Sequence, residues 1–248
     1  MKSIKKYTLS LALLLASNLC QATTDGRVYE MRTYYAEPGK LEALVARFRD
    51  HTTAFFKQFG MTNVGYWIPT NNPDNKLIYI LSYPSQEARE AAWKTFADDP
   101  ERIRVFEASE KNGKLVAKIE QTFMQTTDFS YRIKKKNVGK QPRVFEMRTY
   151  KTLPNKLPDL LSRFRNHTTK LFEKHGMTNI AYWVPTDRDN ELVYILAHQD
   201  EAAAKASFTA FGKDPDWIAA RNASEANGKI VEKITSVFMN ATDFSLIR

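Results

Sequence analysis

The stretch VYEMRTY, residues 28–34, returns almost unchanged as VFEMRTY, residues 144–150. The same shift of 116 aligns HTT at 51–53 with 167–169 and GMTN at 60–63 with 176–179. A one-residue deletion then falls among turn-forming residues, and a shift of 115 aligns TDFS at 127–130 with 242–245. The 248-residue chain is therefore a tandem of two homologous repeats.

The domain boundaries follow from this repetition. We expect repeat 1 over residues 23–130 and repeat 2 over residues 144–248. Residues 131–143 carry basic side chains and no acidic ones, and they include Gly139 and Pro142. This composition predicts a solvated linker, and the run from Lys134 to Lys136 is better explained by solvation than by polyanion binding.

Residues 1–22 have the pattern of a secretory signal peptide: three lysines, an apolar run and a small-residue exit at Ala22. We expect cleavage near Ala22 and export to a bacterial periplasm or beyond, with a lipid anchor on Cys20 as the alternative. The apolar run is shorter than the ~20 residues that span a bilayer, so stable membrane insertion is not expected. Cleavage would leave no cysteine and a formal charge of +9 − 3 = +6, which excludes a disulfide framework.

Each repeat predicts the order strand, helix, strand, strand, helix, strand. In repeat 1, residues 28–35 alternate as a strand, and an apolar stripe from Leu41 to Phe59 predicts a helix that ends at Gly60. TNVGYWIPT and KLIYILSY flank a turn and predict a hairpin. Further helices are predicted from Ser85 and from Asp99, and a last strand over about 115–127. This order is the split βαβ unit of the α+β, ferredoxin-like class.

The repetition has a physical reason. A four-stranded sheet with helices on one face leaves its other face bare, and the predicted strands carry bulky apolar residues on both faces. Two fused repeats packed sheet to sheet would cover each other and form a barrel-like core. The linker, which reaches ~45 Å when extended, is long enough to connect them.

YEMRTYYAEPGK, HTTAFFKQFGMTN, YWIPT and the Asp-Pro start of the late helix resemble the NIPSNAP family, within the dimeric α/β-barrel superfamily, over residues 27–130 and 143–248. The resemblance implies an intrachain dimeric α/β-barrel. It implies no single activity, because the family's activity is largely unassigned and the superfamily ranges from cofactor-independent monooxygenases to haem enzymes. Arg102 stands where the family carries an aromatic residue, which repeat 2 retains as Trp217, and repeat 2 has Leu153 and Asn155 in place of Glu37 and Gly39. The two repeats are therefore not expected to carry equivalent sites.

The first strand holds the most polar candidate residues. Glu30, Arg32 and Tyr34 share one face of that strand. If this face lines the barrel, an acid, a guanidinium and a phenol could orient a carboxylate or enolate ligand. A buried structural ion pair is the alternative. Repeat 2 presents the same set as Glu146, Arg148 and Tyr150.

His51 and His167 are the candidate catalytic residues, because histidine can accept protons near neutral pH or bind haem iron. The alternative is a buried structural histidine that bonds a carbonyl or Glu30. Neither histidine has a second ligand at i+4, so no metal site is predicted. His175 and His198 each occur in one repeat only, and no role is assigned to them.

The aromatic pairs Tyr66-Trp67 and Tyr182-Trp183 are candidates for a ligand-binding wall, with simple core packing as the alternative. Phosphate loops, serine-hydrolase elbows and zinc-peptidase motifs are absent from the sequence. The sequence thus predicts an exported protein that binds a small, partly apolar ligand in barrel-lining pockets, with no cofactor assigned and no nucleic-acid partner. A scaffold protein, a cofactor-independent oxygenase and a haem-binding enzyme are the alternatives, and further association of tandem chains stays open.

Overall fold

The computed structural model of the chain describes residues 24–133 and 143–248. The predicted signal peptide, residues 1–22, lies outside the described residues, as do residues 134–142 of the predicted linker. Within the described part, no helix is long and apolar enough to cross a membrane.

Repeat 1 contains the predicted elements in the predicted order. They are β1 (Val28–Ala36), α1 (Leu41–Arg47), α2 (Thr53–Gln58), β2 (Thr62–Pro69), β3 (Lys76–Tyr83), α3 (Gln86–Asp98), α4 (Pro100–Ser109) and β4 (Val116–Thr126). A π-helical segment, Phe48–Thr52, joins α1 to α2, so the first predicted helix is one run with a wider turn in its middle. Ser85 and Asp99 cap α3 and α4 as predicted: their side chains accept hydrogen bonds from the N–H groups of Ala88 (3.2 Å) and Arg102 (2.7 Å).

Repeat 2 has the same elements. They are β5 (Val144–Thr152), α5 (Leu157–Arg163), α6 (Thr169–Lys174), β6 (Thr178–Pro185), β7 (Glu191–His198), α7 (Glu201–Gly212), α8 (Pro215–Ser224) and β8 (Val231–Ala241), with a second π-helical segment at Phe164–Thr168. The exchange of Gly39 for Asn155 preserves the backbone before the first helix, because both residues adopt a left-handed conformation, with φ of 71° and 61°. Asparagine is among the few side chains that tolerate this region.

All eight strands form one closed antiparallel barrel in the order β1-β3-β2-β8-β5-β7-β6-β4. Each repeat contributes four consecutive strands to this order. The repeats join at two short seams, where Trp67–Pro69 pairs with Met239–Ala241 and Met124–Thr126 pairs with Trp183–Pro185. The prediction of two ferredoxin-like repeats that form an intrachain α/β-barrel is confirmed.

The repeated TDFS segments lock these seams. The N–H of Thr242 donates to the carbonyl of Tyr66 (3.0 Å), and the hydroxyl of Ser245 accepts from the N–H of Tyr66 (2.9 Å). The reciprocal bonds have the same lengths. The N–H of Thr127 donates to the carbonyl of Tyr182, and the hydroxyl of Ser130 accepts from the N–H of Tyr182. Each repeat therefore satisfies backbone groups of the other, which explains why the segment occurs twice.

The barrel interior is filled by apolar side chains from both repeats. Trp67 packs 6.0 Å from Phe145, and Trp183 packs 5.8 Å from Tyr29, measured between ring centroids. All four side chains are buried. Ile78, Ile80, Val193, Ile195 and Met239 complete the same cluster. The two sheets thus share one hydrophobic core.

The face of β1 that turns toward this core is not the one considered in the sequence analysis. Tyr29 and Met31 face the interior, whereas Tyr34 packs in the cluster formed by the sheet and the helices of repeat 1. Glu30 and Arg32 share the face of Tyr34, and so do Glu146, Arg148 and Tyr150 in repeat 2. The expectation that these residues line the barrel is therefore wrong. The interior is lined mainly by apolar side chains, while helix α3 offers Glu30 guanidinium and indole hydrogen-bond donors.

A side chain added at Gly65 would show how tightly the barrel interior is packed. A Cβ atom at this position would lie 2.2 Å from the ring of the fully buried Trp67. Repeat 2 carries Ala181 at the matching position, so the strand itself tolerates a methyl group and the obstacle is the Trp67 ring. We expect Gly65→Ala to lower the free energy of unfolding by about 1–3 kcal/mol, as overpacking does, measured by urea titration. In a Trp67→Leu background the same change should cost less, and an equal cost in both backgrounds would contradict the account.

Candidate functional site

Glu30 is fully buried between β1 and α3 and accepts several hydrogen bonds. Its donors are Arg32 Nη1 (2.5 Å), Arg89 Nε and Nη2 (both 3.0 Å), the Tyr83 hydroxyl (3.0 Å) and Trp93 Nε1 (3.2 Å). The guanidinium of Arg32 also lies 4.4 Å from the Trp93 ring centroid. One carboxylate is thus shared by two guanidinium groups and two aromatic donors.

The network fixes the charge of Glu30. Burial by itself would raise the pKa of this carboxyl, but the hydrogen bonds from Arg89 and the charge of Arg32 outweigh burial and hold the pKa below its usual value. Glu30 therefore stays ionised at neutral pH and has its lone pairs occupied. This arrangement is suited to holding α3 against the sheet rather than to accepting a proton.

Repeat 2 builds the corresponding network from different side chains. Glu146 accepts from Arg148 Nη1 (2.5 Å) and the Ser236 hydroxyl (2.6 Å), and it lies 3.0 Å from His198 Nε2. Burial would raise the pKa of Glu146, but the bond to His198 and the charge of Arg148 keep that pKa low. His198, to which the sequence analysis gave no role, is thus part of this network. The sequence feature that could have indicated this role is the alignment of His198 with Tyr83, whose hydroxyl bonds Glu30 in repeat 1.

The two networks differ in charge. Ala204 stands where repeat 1 has Arg89, and Phe208 stands where it has Trp93. Repeat 1 therefore places two guanidinium groups on one carboxylate, and repeat 2 places one guanidinium and an imidazole. The repeats share the backbone and the Arg–Glu pair of the first strand, but not the other donors to the carboxylate.

The candidate catalytic histidines lie elsewhere. His51 and His167 occupy the two π-helical segments, and both side chains are exposed. Within the described residues neither forms a hydrogen bond to Glu30 or Glu146, whose partners are those named above. The alternative of a buried histidine bonded to Glu30 is therefore wrong.

The two predicted aromatic walls are each split between two faces of the barrel. Tyr66 stacks on Tyr79 on the helix side, with centroids 5.3 Å apart, while Trp67 points into the barrel core. Tyr182 and Trp183 repeat this division. Neither pair forms a continuous wall around one ligand.

A pocket of about 260 Å³ lies in repeat 1 between the sheet and the helices α1 and α4. It contains one of the predicted ligand-binding residues, Tyr34, which the sequence analysis had placed in the barrel. Its other residues include Arg47, Arg102 and Glu110, and the rings of Phe48, Phe96 and Phe106. Five of the lining residues are aromatic, and the pocket carries two cations and one anion.

Arg47 is the most buried charged residue of this pocket. Its Nη1 donates to Glu110 Oε1 (3.0 Å) and to the Ser109 hydroxyl (3.2 Å), and its guanidinium lies 4.2 Å from the Phe106 ring centroid. Burial lowers the pKa of Arg47, and Glu110 opposes this shift. Arginine nonetheless stays charged in proteins. Within the described residues, Arg47 Nε is buried and has no hydrogen-bond partner, so one donor is left unsatisfied by the protein.

Arg102 explains why the two repeats differ here. Its Nε donates to the carbonyl of Phe96 (2.8 Å), and its guanidinium lies 5.2 Å from the rings of Phe96 and Phe106. In repeat 2 the matching Trp217 packs directly on Phe211, with centroids 4.4 Å apart. A charged side chain thus lines the pocket of repeat 1 where repeat 2 has an aromatic stack.

No site for a metal ion is evident in the described part of the chain. Over residues 24–133 and 143–248, no group of three or more His, Cys, Asp or Glu side chains could hold one. The exposed His51 and His167 do not converge with other potential ligands there.

Comparison with known proteins gives a family and a fold. The sequence model of the NIPSNAP family matches residues 29–131 and 145–246. No curated protein matches the sequence. A crystal structure from Lactobacillus acidophilus NCFM, named as a candidate monooxygenase, superposes with a TM-score of 0.57 at 10% identity over 88% of this chain and 94% of that one.

Two further solved structures have the same fold. A candidate monooxygenase from Fusobacterium nucleatum gives a TM-score of 0.58 at 8% identity, covering 87% of this chain and 92% of the other. An anthrone oxidase-like protein gives 0.57 at 10% identity, covering 91% and 95%. At these identities the likeness concerns the fold alone.

Glu30→Gln should destabilise the protein strongly, because it leaves Arg32 and Arg89 buried without a counter-charge. We expect the free energy of unfolding to fall by about 3–5 kcal/mol, measured by urea titration at pH 7. Glu146→Gln is the matched control and should cost less, since only Arg148 loses a permanent ion-pair partner. A larger loss for Glu146→Gln than for Glu30→Gln would contradict the description of the networks.

The same variant also changes the response to acid. The folded-state pKa of Glu30 lies below an unfolded value of about 4.3, so its stabilisation is complete above that pH and is lost as the pH falls through the folded-state pKa. The urea midpoint of the unmodified chain should therefore drop more steeply below about pH 4 than that of Glu30→Gln. If the urea midpoints of both proteins fall in parallel below about pH 4, the ionised form of Glu30 is not stabilised by the folded state.

Proposed function

The chain belongs to the NIPSNAP family, and we propose that it binds a small, partly apolar anion in the pocket between the sheet and the helices of repeat 1. Tyr34, Arg47 and Arg102 are the residues we assign to the anionic end of the ligand. The aromatic rings around them take the apolar end.

One observation carries this proposal: a buried guanidinium with an unused donor sits in an aromatic pocket. Arg47 and Arg102 outnumber the single carboxylate of Glu110, so the pocket has a net positive charge. A planar guanidinium suits a carboxylate or an enolate oxygen, and water exclusion by the surrounding rings strengthens that contact. The volume of about 260 Å³ is slightly below the usual range for drug-sized ligands, which favours a small one.

An enzymatic role follows from the same geometry as the second candidate. Arginine and tyrosine beside an apolar aromatic substrate could stabilise negative charge that develops on an enolate or phenolate oxygen. Neighbours that share the fold are named as candidate monooxygenases and as anthrone oxidase-like, and on those names we take oxygenation as the reaction class of this second candidate. His51 does not line this pocket, so Glu110 would be the base here, and haem binding by His51 would have to occur elsewhere.

A scaffold role is favoured by a different observation. The carboxylates of Glu30 and Glu146 are saturated by protein donors, so these residues and their arginine partners are better explained as structural. The proposed ligand site therefore excludes them and lies further along the same face of β1, at Tyr34.

We also propose that the protein works outside the cytoplasm, in a periplasm or in the medium. This rests on the signal-peptide pattern of residues 1–22. The lipid anchor on Cys20 is the alternative, and the mass of the mature protein distinguishes the two.

Arg47→Met tests the ligand site. We expect native mass spectrometry with a panel of aryl carboxylates and phenols to show binding, and the variant to bind at least about 10-fold more weakly, because a hydrogen bond to a charged group contributes about 1.5–3 kcal/mol. Glu110, the ion partner of Arg47, is partly exposed and can be solvated in the variant.

Arg163→Met is the matched control, since Arg163 makes the equivalent contacts with Ser224 and Glu225 in repeat 2. It should leave the affinity unchanged. The proposal is wrong if no member of the panel binds, or if both variants weaken binding equally.

A further inference from the structure

A second cavity, of about 310 Å³, lies in repeat 2 between α5, the second π-helical segment and the C-terminal end of α8. Its polar lining includes His167, one of the two histidines that the proposed function leaves unused. The other polar side chains that matter are Asp159, Ser162, Arg163, Asn166 and Asn227. This cavity is in the other repeat from the proposed ligand pocket and has a different character.

The lining is particular to repeat 2. The matching positions of repeat 1 carry Ala43, Ala46, Asp50 and Val105 in place of Asp159, Ser162, Asn166 and Ala220. Two of these exchanges add hydrogen-bonding groups, one removes a negative charge beside the histidine, and one removes two methyl groups from the cavity wall. Three of the changes make the space in repeat 2 larger or more polar than its counterpart, and the fourth, Asn166 for Asp50, makes it less negative.

The cavity has one charge of each sign on the same helix. Asp159 and Arg163 are four residues apart on α5 and so share a face. They pair with different neighbours: Asp159 with Lys156 (3.3 Å) and Arg163 with Glu225 (3.2 Å). Within the described residues Arg163 Nε is buried and has no hydrogen-bond partner. A ligand can therefore meet a cation and an anion about one helical turn apart.

The C-terminal end of α8 adds partial negative charge to the cavity. The cavity is lined by Ala223 and Ser224 in the last turn of this ten-residue helix. The carbonyl groups of a helix C-terminus carry partial negative charge and favour a cation nearby. No large apolar side chain contributes to the lining, so burial of an apolar group would gain little here.

We propose that this cavity binds a free α-amino acid. Arg163 and His167 take its carboxylate, and Asp159 with the C-terminal carbonyl groups of α8 takes its ammonium group. Ser162, Asn166 and Asn227 hydrogen-bond polar atoms of the ligand. A simple carboxylate would be repelled by Asp159, and a simple amine by Arg163, so both charges of the zwitterion are needed.

Isothermal titration of the mature protein with glycine, L-serine and L-glutamine tests this assignment, with lactate and ethanolamine as ligands that carry only one of the two charges. We expect at least one amino acid to bind and both single-charge ligands to bind at least about 10-fold more weakly, a difference of about 1.4 kcal/mol. Binding of none of the three amino acids at about 10 mM overturns the proposal. Lactate or ethanolamine binding as tightly as the amino acid overturns it as well.

Variants that restore the repeat-1 side chains locate the site. Ala220→Val fills the cavity and Asn166→Asp, at an exposed position, places a negative charge near the carboxylate, so each should weaken binding at least about 10-fold. Val105→Ala, the reverse exchange in repeat 1, should leave the affinity unchanged. Circular dichroism and thermal unfolding check that Ala220→Val is folded, and Asn166→Asp tests the site without altering the core. Unchanged affinity in Asn166→Asp would place any amino-acid binding elsewhere and overturn the proposal.

Discussion

The structure depends on the burial of two sheet faces against each other. Each repeat covers one face of its sheet with helices and has nothing of its own to cover the other. Trp67 and Trp183 sit on these second faces and reach across to aromatic residues of the opposite repeat. Only three residue pairs join the sheets at each seam, with a few more backbone bonds from the TDFS segments, so the backbone pairing between the halves is short beside the shared core. Packing of the interior is therefore the main term that makes two repeats one domain.

This arrangement leaves the helix-covered faces free to diverge. The barrel core and the TDFS contacts must be kept in both repeats, because each half depends on the other. The helix-side residues have no such constraint. The side chains around Glu30 and Glu146 differ, Arg102 is replaced by Trp217, and the pockets that Arg47 and Arg163 line have different linings although both arginines keep the same Ser and Glu partners. One fold thus carries two pockets of different chemistry, an aromatic cationic one and a polar one with both charges.

Sequence reasoning predicted most of the fold because its signals are local or repeated. Alternation in VYEMRTY gave β1, and the Asp-Pro step gave the start of α4. Alternation fixes which residues share a face but not which face turns inward, and here both faces of β1 contain buried residues. Glu30 was therefore assigned to the wrong side. The side toward which Glu30 turns depends on donors such as Arg89. Arg89 lies 59 residues from Glu30 along the chain and is brought close only by the packing of α3. For the same reason the contact of His198 with Glu146 was not predicted. The exposed His51 lies in a π-helical segment that no local pattern indicated.

Native-state hydrogen exchange on Trp183→Leu, read by mass spectrometry for each strand, tests the shared core most directly. Trp183 belongs to repeat 2, yet its side chain packs on Tyr29 of repeat 1. If the two repeats form one cooperative unit, the most protected amides of β1 and β3 should lose as much free energy of opening as those of β5 and β7. Loss of protection confined to β5 and β7, with β1 and β3 unchanged, would show that the repeats are stable independently and would contradict the account.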